Sequence, residues 1–304
     1  MSHTLKPIHL LAALLIMLIW GCNFVAIRYG LDEQPPLFLT FLRFLFSAVP
    51  AVFFLHPPPL PWHQVASYGI IIFALQFSFV FSGMQAGVSP GLASVVLQLA
   101  VFITIGLATL FLGERPHPSQ WLGALIGFAG VCLIALHQGT DATLPGLALL
   151  LAGALCWSSG NIMAKGFRQP VDALALVAWG SLAAAPFQLL LALGLEGPAR
   201  LLSSLQHASW ISVAAVAYLA WLSTLVGYGL WSHLLRHYPA GTVAPLSLLV
   251  PIIGLTASAL VLGERLQGWK LMATLLVLLG LSINLFGARL LSRLRQPPCR
   301  QDPN

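Results

Sequence analysis

The chain has 304 residues, of which 58% are hydrophobic and only 7% are charged, and its formal net charge is +6. Soluble domains carry about 25% charged residues, so this composition excludes a water-exposed shell around a globular core. The basic residues lie at the ends of apolar segments and cluster only at the C-terminus, which argues against a nucleic-acid partner. The histidines and cysteines show no metal-ligand or disulfide spacing, so we expect neither a metal nor a cofactor. The chain therefore belongs in a lipid bilayer.

Apolar windows predict ten membrane-spanning helices. A span requires about 20 apolar residues, and a backbone in lipid must satisfy its own hydrogen bonds, so each window is expected to be helical. The predicted spans are residues 8–28, 37–55, 66–86, 91–112, 119–137, 145–165, 173–194, 209–235, 241–262 and 268–289. The first apolar run is too long for a signal peptide and lacks a small-residue cleavage site, so we expect it to be retained as a span.

Two segments of the chain repeat with an offset of 150 residues. Leu-Gly-Glu-Arg occurs at 112–115 and again at 262–265, and Gly91 and Gly241 keep the same offset. Each copy holds five spans, an odd number, so the second copy is expected to be inverted in the membrane. We predict an all-α integral membrane protein built from two inverted five-helix repeats. The predicted units are residues 1–140, residues 141–292 and a basic, disordered cytoplasmic tail at 293–304.

The distribution of Lys and Arg predicts the orientation of the spans, because cytoplasmic loops carry the excess of basic residues. With the N-terminus inside, the cytoplasmic side collects Lys6, Arg115, Lys165, Arg168, Arg236, Arg289, Arg293, Arg295 and Arg300. The other side collects only Arg28, Arg200, Arg265 and Lys270. Both termini are therefore predicted to lie in the cytoplasm.

Several motifs, in this order and spacing, resemble the EamA family of the drug/metabolite transporter superfamily. They are Trp20-Gly21-Cys22-Asn23-Phe24, Leu42-Arg43-Phe44 and the two Leu-Gly-Glu-Arg ends, and the resemblance runs from about residue 9 to 291. Gly91 to Gln98, Val243 to Pro251, Gln76-Phe77 and Gly160 to Ile162 further resemble the bacterial exporters of O-acetylserine and cysteine. This resemblance implies a ten-helix inverted-repeat transporter that exports small amino-acid metabolites.

Uncharged polar and aromatic side chains within the spans are the candidates for a substrate cavity. A polar group inside a span costs free energy unless it is paired or faces water. Amides both donate and accept hydrogen bonds, which suits the carboxylate and ammonium of a zwitterion, although they also serve as contacts between helices. The two prolines of span nine would expose carbonyls or let the helix bend. The predicted cavity residues are Trp20, Asn23, Gln76, Ser94, Gln98, Trp157, Asn161, Trp221, Tyr228, Pro245, Ser247 and Pro251.

Charged residues in or beside the spans are predicted to act as anchors or gates. An unpaired Arg43 near the centre of a span would cost roughly 2.5–3.5 kcal/mol. We expect it to snorkel to the outer surface or to pair with Asp32 or Glu33; binding of a substrate carboxylate is the second interpretation. The other predicted anchors or gates lie at the ends of helices: Glu114, Arg115, Lys165, Glu264 and Arg265.

The sequence therefore favours an inner-membrane exporter of cysteine, O-acetylserine or similar metabolites that works by alternating access. The aromatic side chains of span eight favour an alternative, a broader exporter of aromatic amino acids and drug-like compounds. An enzyme is not expected, because the chain lacks the motifs of intramembrane catalysis. A small-molecule substrate and the lipid bilayer are the expected partners. Gly123-x-x-x-Gly127 indicates close helix packing, either within one chain or between two copies.

Overall fold

A computed structural model describes residues 5–137, 139, 141–167 and 169–294, apart from the side chains of residues 240, 241 and 288–294. The described residues form helices with short connections and no β-strand. The helices are α1 Pro7–Leu31, α2 Pro36–Val52, α3 Trp62–Gln85, α4 Pro90–Leu112, α5 Pro118–Leu136, α6 Leu144–Lys165, α7 Ala173–Leu195, α8 Pro198–Gln206, α9 Trp210–His237, α10 Ala244–Leu262 and α11 Gly268–Leu294. A four-residue helical turn, Ala240–Val243, leads into α10.

Nine of these described helices are long and apolar enough to cross a membrane. Predicted spans one to seven overlap α1–α7, and spans eight, nine and ten overlap α9, α10 and α11. The helix α2 is shorter than its predicted span, with 17 residues, because it ends at Val52, before the run Pro57-Pro58-Pro59. The short helix α8 was not predicted. It begins at Pro198, directly after Gly197 at φ 84°, and buries Leu201.

Proline and glycine set the ends of several helices. Pro90 and Pro118 occupy first-turn positions, where the missing N–H costs no hydrogen bond. Gly113 and Gly263 end α4 and α10 in the left-handed conformation, at φ 65° and 70°. Only glycine adopts this conformation without strain, so the glycine of each Leu-Gly-Glu-Arg motif stops the helix before it.

Departures from α-helical geometry occur at corresponding places in the two halves. The helix α3 contains a π-helical segment, Ile70–Leu75, and α9 contains another, Tyr218–Val226. The helix α4 contains a 3₁₀ segment, Leu97–Leu99, and α10 begins with one at Ala244–Leu248. In α10 the distortion includes Pro245, which has no N–H to donate. Such segments leave backbone groups outside the regular ladder and often mark functional sites.

Glycines allow a close approach of two helices, α5 and α11. A methyl group on Gly123 would lie 2.5 Å from the carbonyl oxygen of Gly280, and one on Gly130 would lie 2.8 Å from that of Ala273. Gly127 packs in turn against the ring of Phe102 on α4. The Gly123-x-x-x-Gly127 pattern therefore serves packing within one chain.

Part of the predicted organisation lies outside the described residues. Arg168, Arg295 and Arg300, which entered the orientation count, are among them, as is the predicted tail beyond residue 294. The backbone of residues 293–294, assigned to the tail, instead continues α11.

Candidate functional site

The most unusual side chain in the interior is Arg43, which is only 2% exposed. It lies on α2 and reaches helices from both halves of the chain. Its Nε donates to Thr224 Oγ1 over 3.2 Å, and its Nη2 donates to Ser223 Oγ over 3.4 Å. Its Nη1 donates to Asn23 Oδ1 over 3.3 Å. One guanidinium thus joins α2 to α1 and α9 through neutral acceptors.

Two aromatic rings pack against the guanidinium of Arg43, in addition to its hydrogen-bond acceptors. The Cζ of Arg43 lies 4.2 Å from the ring centroid of Phe77 on α3 and 5.3 Å from that of Phe44. Both distances are within the range of cation–π attraction. We refer to Asn23, Arg43, Phe77, Ser223 and Thr224 as the Arg43 cluster.

The counter-ions expected for Arg43 are engaged elsewhere. Asp32 forms an ion pair with Arg28 over 3.0 Å, and Glu33 accepts hydrogen bonds from the Oγ and N of Ser209. Among the described residues, no carboxylate lies within ion-pair distance of Arg43. The predicted pairing with Asp32 or Glu33, and the predicted snorkelling, are therefore wrong for this conformation, because the side chain is buried and the two carboxylates have other partners.

Hydroxyl groups complete the cluster and follow the distorted segment of α9. Ser223 Oγ donates to Asn23 Oδ1 over 2.7 Å, so that one amide oxygen accepts from both Ser223 and Arg43. Thr224 Oγ1 donates to the carbonyl of Leu219, five residues earlier, over 2.8 Å. Ser47 Oγ lies 2.9 Å from the carbonyl oxygen of Ala220 and links α2 to the same segment. The π-helical turn of α9 thus presents two adjacent hydroxyls to the guanidinium.

Trp20 and Tyr228, both predicted as cavity residues, lie beside this cluster. Trp20 Nε1 donates to the carbonyl of Ser223 over 3.1 Å. Its ring centroid lies 5.6 Å from that of Tyr228 and 5.4 Å from that of Trp231. The predicted residues Trp20, Asn23 and Tyr228 are therefore brought together with Arg43.

Two further polar contacts involve α4, one with α10 and one with α6. Gln98 Nε2 donates to the carbonyl of Ser247 over 3.5 Å, and Asn161 Nδ2 donates to Thr104 Oγ1 over 3.3 Å. Gln98, Asn161 and Ser247 are half-buried. These long hydrogen bonds leave the amides free to exchange partners. The structure thus places Gln98 beside Ser247 and brings Asn161 to the same helix, α4.

The remaining predicted cavity residues are distributed around these groups. Gln76 is buried, and its Oε1 has no hydrogen-bond partner among the described residues. Ser94 is buried against Gly254 of α10, and its Oγ donates to the carbonyl of Gly91 over 2.6 Å. Pro251 is buried, whereas Pro245 and Trp157 are half-buried. Trp221 stands apart: it is 52% exposed, and its indole donates to the carbonyl of Phe46 over 3.0 Å.

The two glutamates of the repeated motif have different partners. Glu114 forms a half-exposed ion pair with Lys165 over 3.0 Å. Glu264 instead accepts a hydrogen bond from the backbone N of Gly91 over 3.4 Å, at the start of α4. Burial raises the pKa of the Glu264 carboxyl above its ordinary value. Arg115 and Arg265 are exposed, and neither forms an ion pair with another described residue.

Some polar groups of this interior could not be found from the sequence. Ser223 and Thr224 carry no motif, and only the π-helical turn points both of them at Arg43. Lys270, counted as a loop residue in the orientation argument, is fully buried and pairs with Asp141 over 2.8 Å. No group of three or more described His, Cys, Asp or Glu side chains is placed to hold a metal ion.

Comparison with known proteins identifies the family. Residues 7–136 and 144–286 match the EamA-like transporter family. A protein of Escherichia coli (strain K12) named "Probable amino-acid metabolite efflux pump" is 40% identical over 284 residues, covering 91% of this chain and 94% of that protein. A protein of the same name from Salmonella typhimurium is 40% identical over 282 residues, with the same coverage.

More distant relatives agree with the fold and the location. A protein of Escherichia coli (strain K12) named as an uncharacterized inner membrane transporter is 26% identical over 259 residues, covering 83% of this chain and 81% of its own. One solved crystal structure superimposes with a TM-score of 0.66 at 20% identity, covering 96% of this chain and 100% of its own. The apolar helices and these relatives place the protein in the bacterial inner membrane as a multi-pass protein. The chain belongs to the EamA-like transporter family.

Proposed function

We propose that this protein exports small amino-acid metabolites, with cysteine and O-acetylserine as the first candidate substrates. The main support is the 40% identity, over 91% of the chain, to a protein named as an amino-acid metabolite efflux pump. The choice of cysteine and O-acetylserine rests on the motif resemblance. Membership in a transporter family favours transport over catalysis, so the protein is proposed not to be an enzyme.

The proposed mechanism is alternating access between two inverted five-helix repeats, with both termini in the cytoplasm. Three observations support it: the 150-residue repeat, the two stretches that match the family, and the paired π and 3₁₀ segments. The substrate would bind between the halves, where Gln98 and Asn161 offer donors and acceptors to a zwitterion. Because inverted halves can exchange conformations, such a site can open to each side in turn.

A broader exporter of aromatic amino acids and drug-like compounds is the second candidate. The contact of Trp20 with Tyr228 and Trp231 favours it, because the three neighbouring rings, tilted to one another, offer an apolar, aromatic surface to a substrate. The two candidates predict different rates of export. An exporter of cysteine and O-acetylserine should export cysteine faster than tryptophan, and the broader exporter should export tryptophan faster.

Efflux from cells preloaded with labelled cysteine or O-acetylserine tests this function. Wild type is expected to speed efflux, and Gln98→Ala and Asn161→Ala are expected to abolish the gain at matched membrane expression. Ser159→Ala is the control, because its hydroxyl bonds to the carbonyl of Leu155 in its own helix. Unchanged efflux in both variants would show that the side chains of Gln98 and Asn161 do not bind the substrate. Absence of wild-type efflux of either compound would reject the substrate assignment, and labelled tryptophan and phenylalanine would then test the second candidate.

A further inference from the structure

The buried guanidinium carries a charge that the described part of the protein does not neutralise. Arg43 is 2% exposed, its three hydrogen-bond acceptors are neutral, and its donor–acceptor distances of 3.2–3.4 Å are long. Removing a cation from water is costly unless an anion pairs with it. Hydrogen bonds from Arg to a carboxylate are shorter, near 2.8 Å, and stronger than those to neutral oxygens. The positive charge of Arg43 is therefore available to an anionic partner.

Lys270 shows the contrast within the same molecule. It is also fully buried, but it pairs with Asp141 over 2.8 Å. One buried cation is thus satisfied from within the chain, and the other has no acidic partner among the described residues. A guanidinium also differs from an ammonium in shape, because its planar fork matches both oxygens of a carboxylate.

The position of Arg43 is suited to a transported ligand. Its partners come from both halves of the chain: Asn23 from the first, and Ser223 and Thr224 from the second. The second pair lies in the π-helical segment of α9, a distortion that is frequent at functional sites. A ligand bound here would contact the two halves that alternating access moves against each other.

We propose that Arg43 is the receptor for the carboxylate of the transported substrate, an inference that rests on the proposed export function. In this conformation the site is closed, because the guanidinium of Arg43 donates hydrogen bonds to the hydroxyls of Ser223 and Thr224. A substrate carboxylate displaces these two weak bonds when the segment Tyr218–Val226 moves away from α2. Asn23 Oδ1, released from Arg43, then accepts a hydrogen bond from the substrate ammonium.

Competition in proteoliposomes tests the carboxylate directly. Uptake of labelled L-cysteine is measured against unlabelled L-cysteine or L-cysteinamide, which keeps the thiol and ammonium but lacks the carboxylate. Wild type is expected to prefer the acid by about tenfold or more, which corresponds to about 1.4 kcal/mol. Arg43→Gln should lose this preference. Arg43→Lys should keep part of it, because the lysine ammonium retains the positive charge but lacks the planar pair of donors that matches both carboxylate oxygens. Arg200→Gln, which removes an exposed cation on the short helix α8, is the control and should keep the full preference.

A role of Arg43 in packing alone predicts a different result. Uptake of labelled cysteine would then fall in Arg43→Gln, and the acid would still compete better than the amide by the wild-type ratio. That result would overturn the proposal, as would equal competition by acid and amide in wild type. If wild type took up no labelled cysteine, the proposed export of cysteine would fail and the inference with it.

A second variant covers the case in which Arg43→Gln does not fold. Asn23→Asp places a carboxylate on a residue that already bonds the guanidinium over 3.3 Å. An internal counter-ion should raise the apparent Tm, because it neutralises the buried charge, and it should weaken cysteine uptake by about tenfold, because it competes with the substrate. A stabilised variant with wild-type cysteine uptake would contradict the receptor role.

Discussion

At the scale of single residues, carboxylates at helix starts connect the two halves of the chain. Glu196 accepts hydrogen bonds from the backbone N of Leu37 over 2.7 Å and of Phe38 over 3.0 Å, at the start of α2. Glu33 accepts from Ser209 at the start of α9, and Glu264 accepts from Gly91 at the start of α4. The N-terminus of a helix carries partial positive charge, which attracts each carboxylate, although burial opposes the charged form of Glu196 and Glu264.

Glu33 and Glu264 should respond to pH in opposite directions. Hydrogen bonds from Ser209 lower the pKa of Glu33 below its ordinary 4.5, so its stabilising effect is present above pH 4.5 and is lost as pH falls through the lowered value. Burial raises the pKa of Glu264, so its carboxyl favours folding when protonated and loses that effect as pH rises through the raised value.

Apparent Tm as a function of pH measures this difference. Glu33→Gln should reduce the fall in apparent Tm that wild type shows as the pH drops below 4.5. Glu264→Gln should reduce the fall in apparent Tm that wild type shows as the pH rises above 4.5. Identical pH profiles for wild type and both variants would contradict the two assignments.

The buried ion pair of Lys270 should be sensitive to the loss of its partner. Asp141→Asn leaves the fully buried ammonium without a carboxylate, and we expect a loss of about 1–3 kcal/mol in stability. Asp141→Asn combined with Lys270→Met should recover part of the loss, because no buried charge remains. Thermal unfolding in detergent gives the comparison. A double variant no more stable than Asp141→Asn alone would show that burial of charge is not the cause.

At the scale of elements, the contact of α5 with α11 depends on the absence of side-chain atoms. A methyl group at Gly123 meets the carbonyl oxygen of Gly280 at 2.5 Å, which forces the two backbones apart. We expect Gly123→Ala to cost about 1–3 kcal/mol, as overpacking does. Gly106→Ala is the matched control, because a methyl group there meets no atom of the described residues within 4 Å. Equal Tm values for Gly123→Ala and Gly106→Ala would show that α5 and α11 can move apart without a loss of stability.

Hydropathy was sufficient to predict the long helices, because lipid requires each apolar window to satisfy its own hydrogen bonds. It did not predict α8, whose nine residues are amphipathic and too short to register as a span. The Arg43 cluster was only partly predictable. Asn23 and Arg43 are unusual in a span and stand out in the sequence, whereas Ser223 and Thr224 are common in membrane helices. Their orientation depends on a π-helical turn that local sequence does not specify.

At the scale of the whole molecule, the two halves differ in how their equivalent glutamates are bound. Glu114 pairs with Lys165 on α6, whereas Glu264 contacts the start of α4 at Gly91. In this part of the chain the two halves align with an offset of 137 residues, since the stretches that match the family begin at residues 7 and 144. Arg28 then corresponds to Lys165, and each follows a tryptophan, Trp20 or Trp157, by eight residues. Arg28 here pairs with Asp32 instead. The proposed alternating-access cycle predicts such inequality between the halves in any one conformation.

If the halves exchange conformations during transport, these partners should exchange as well. In a variant whose native cysteines are replaced by serine, cysteines at positions 114 and 165 should be joined by a short bifunctional maleimide in the resting protein. Cysteines at positions 28 and 264 should be joined only while substrate is being transported, because that pair forms when the halves have exchanged roles. Each cross-link should block efflux, and cleavage of a reducible linker should restore it. Equal cross-linking of both pairs with and without substrate would contradict an exchange, because the two ion pairs would then be independent of the transport cycle.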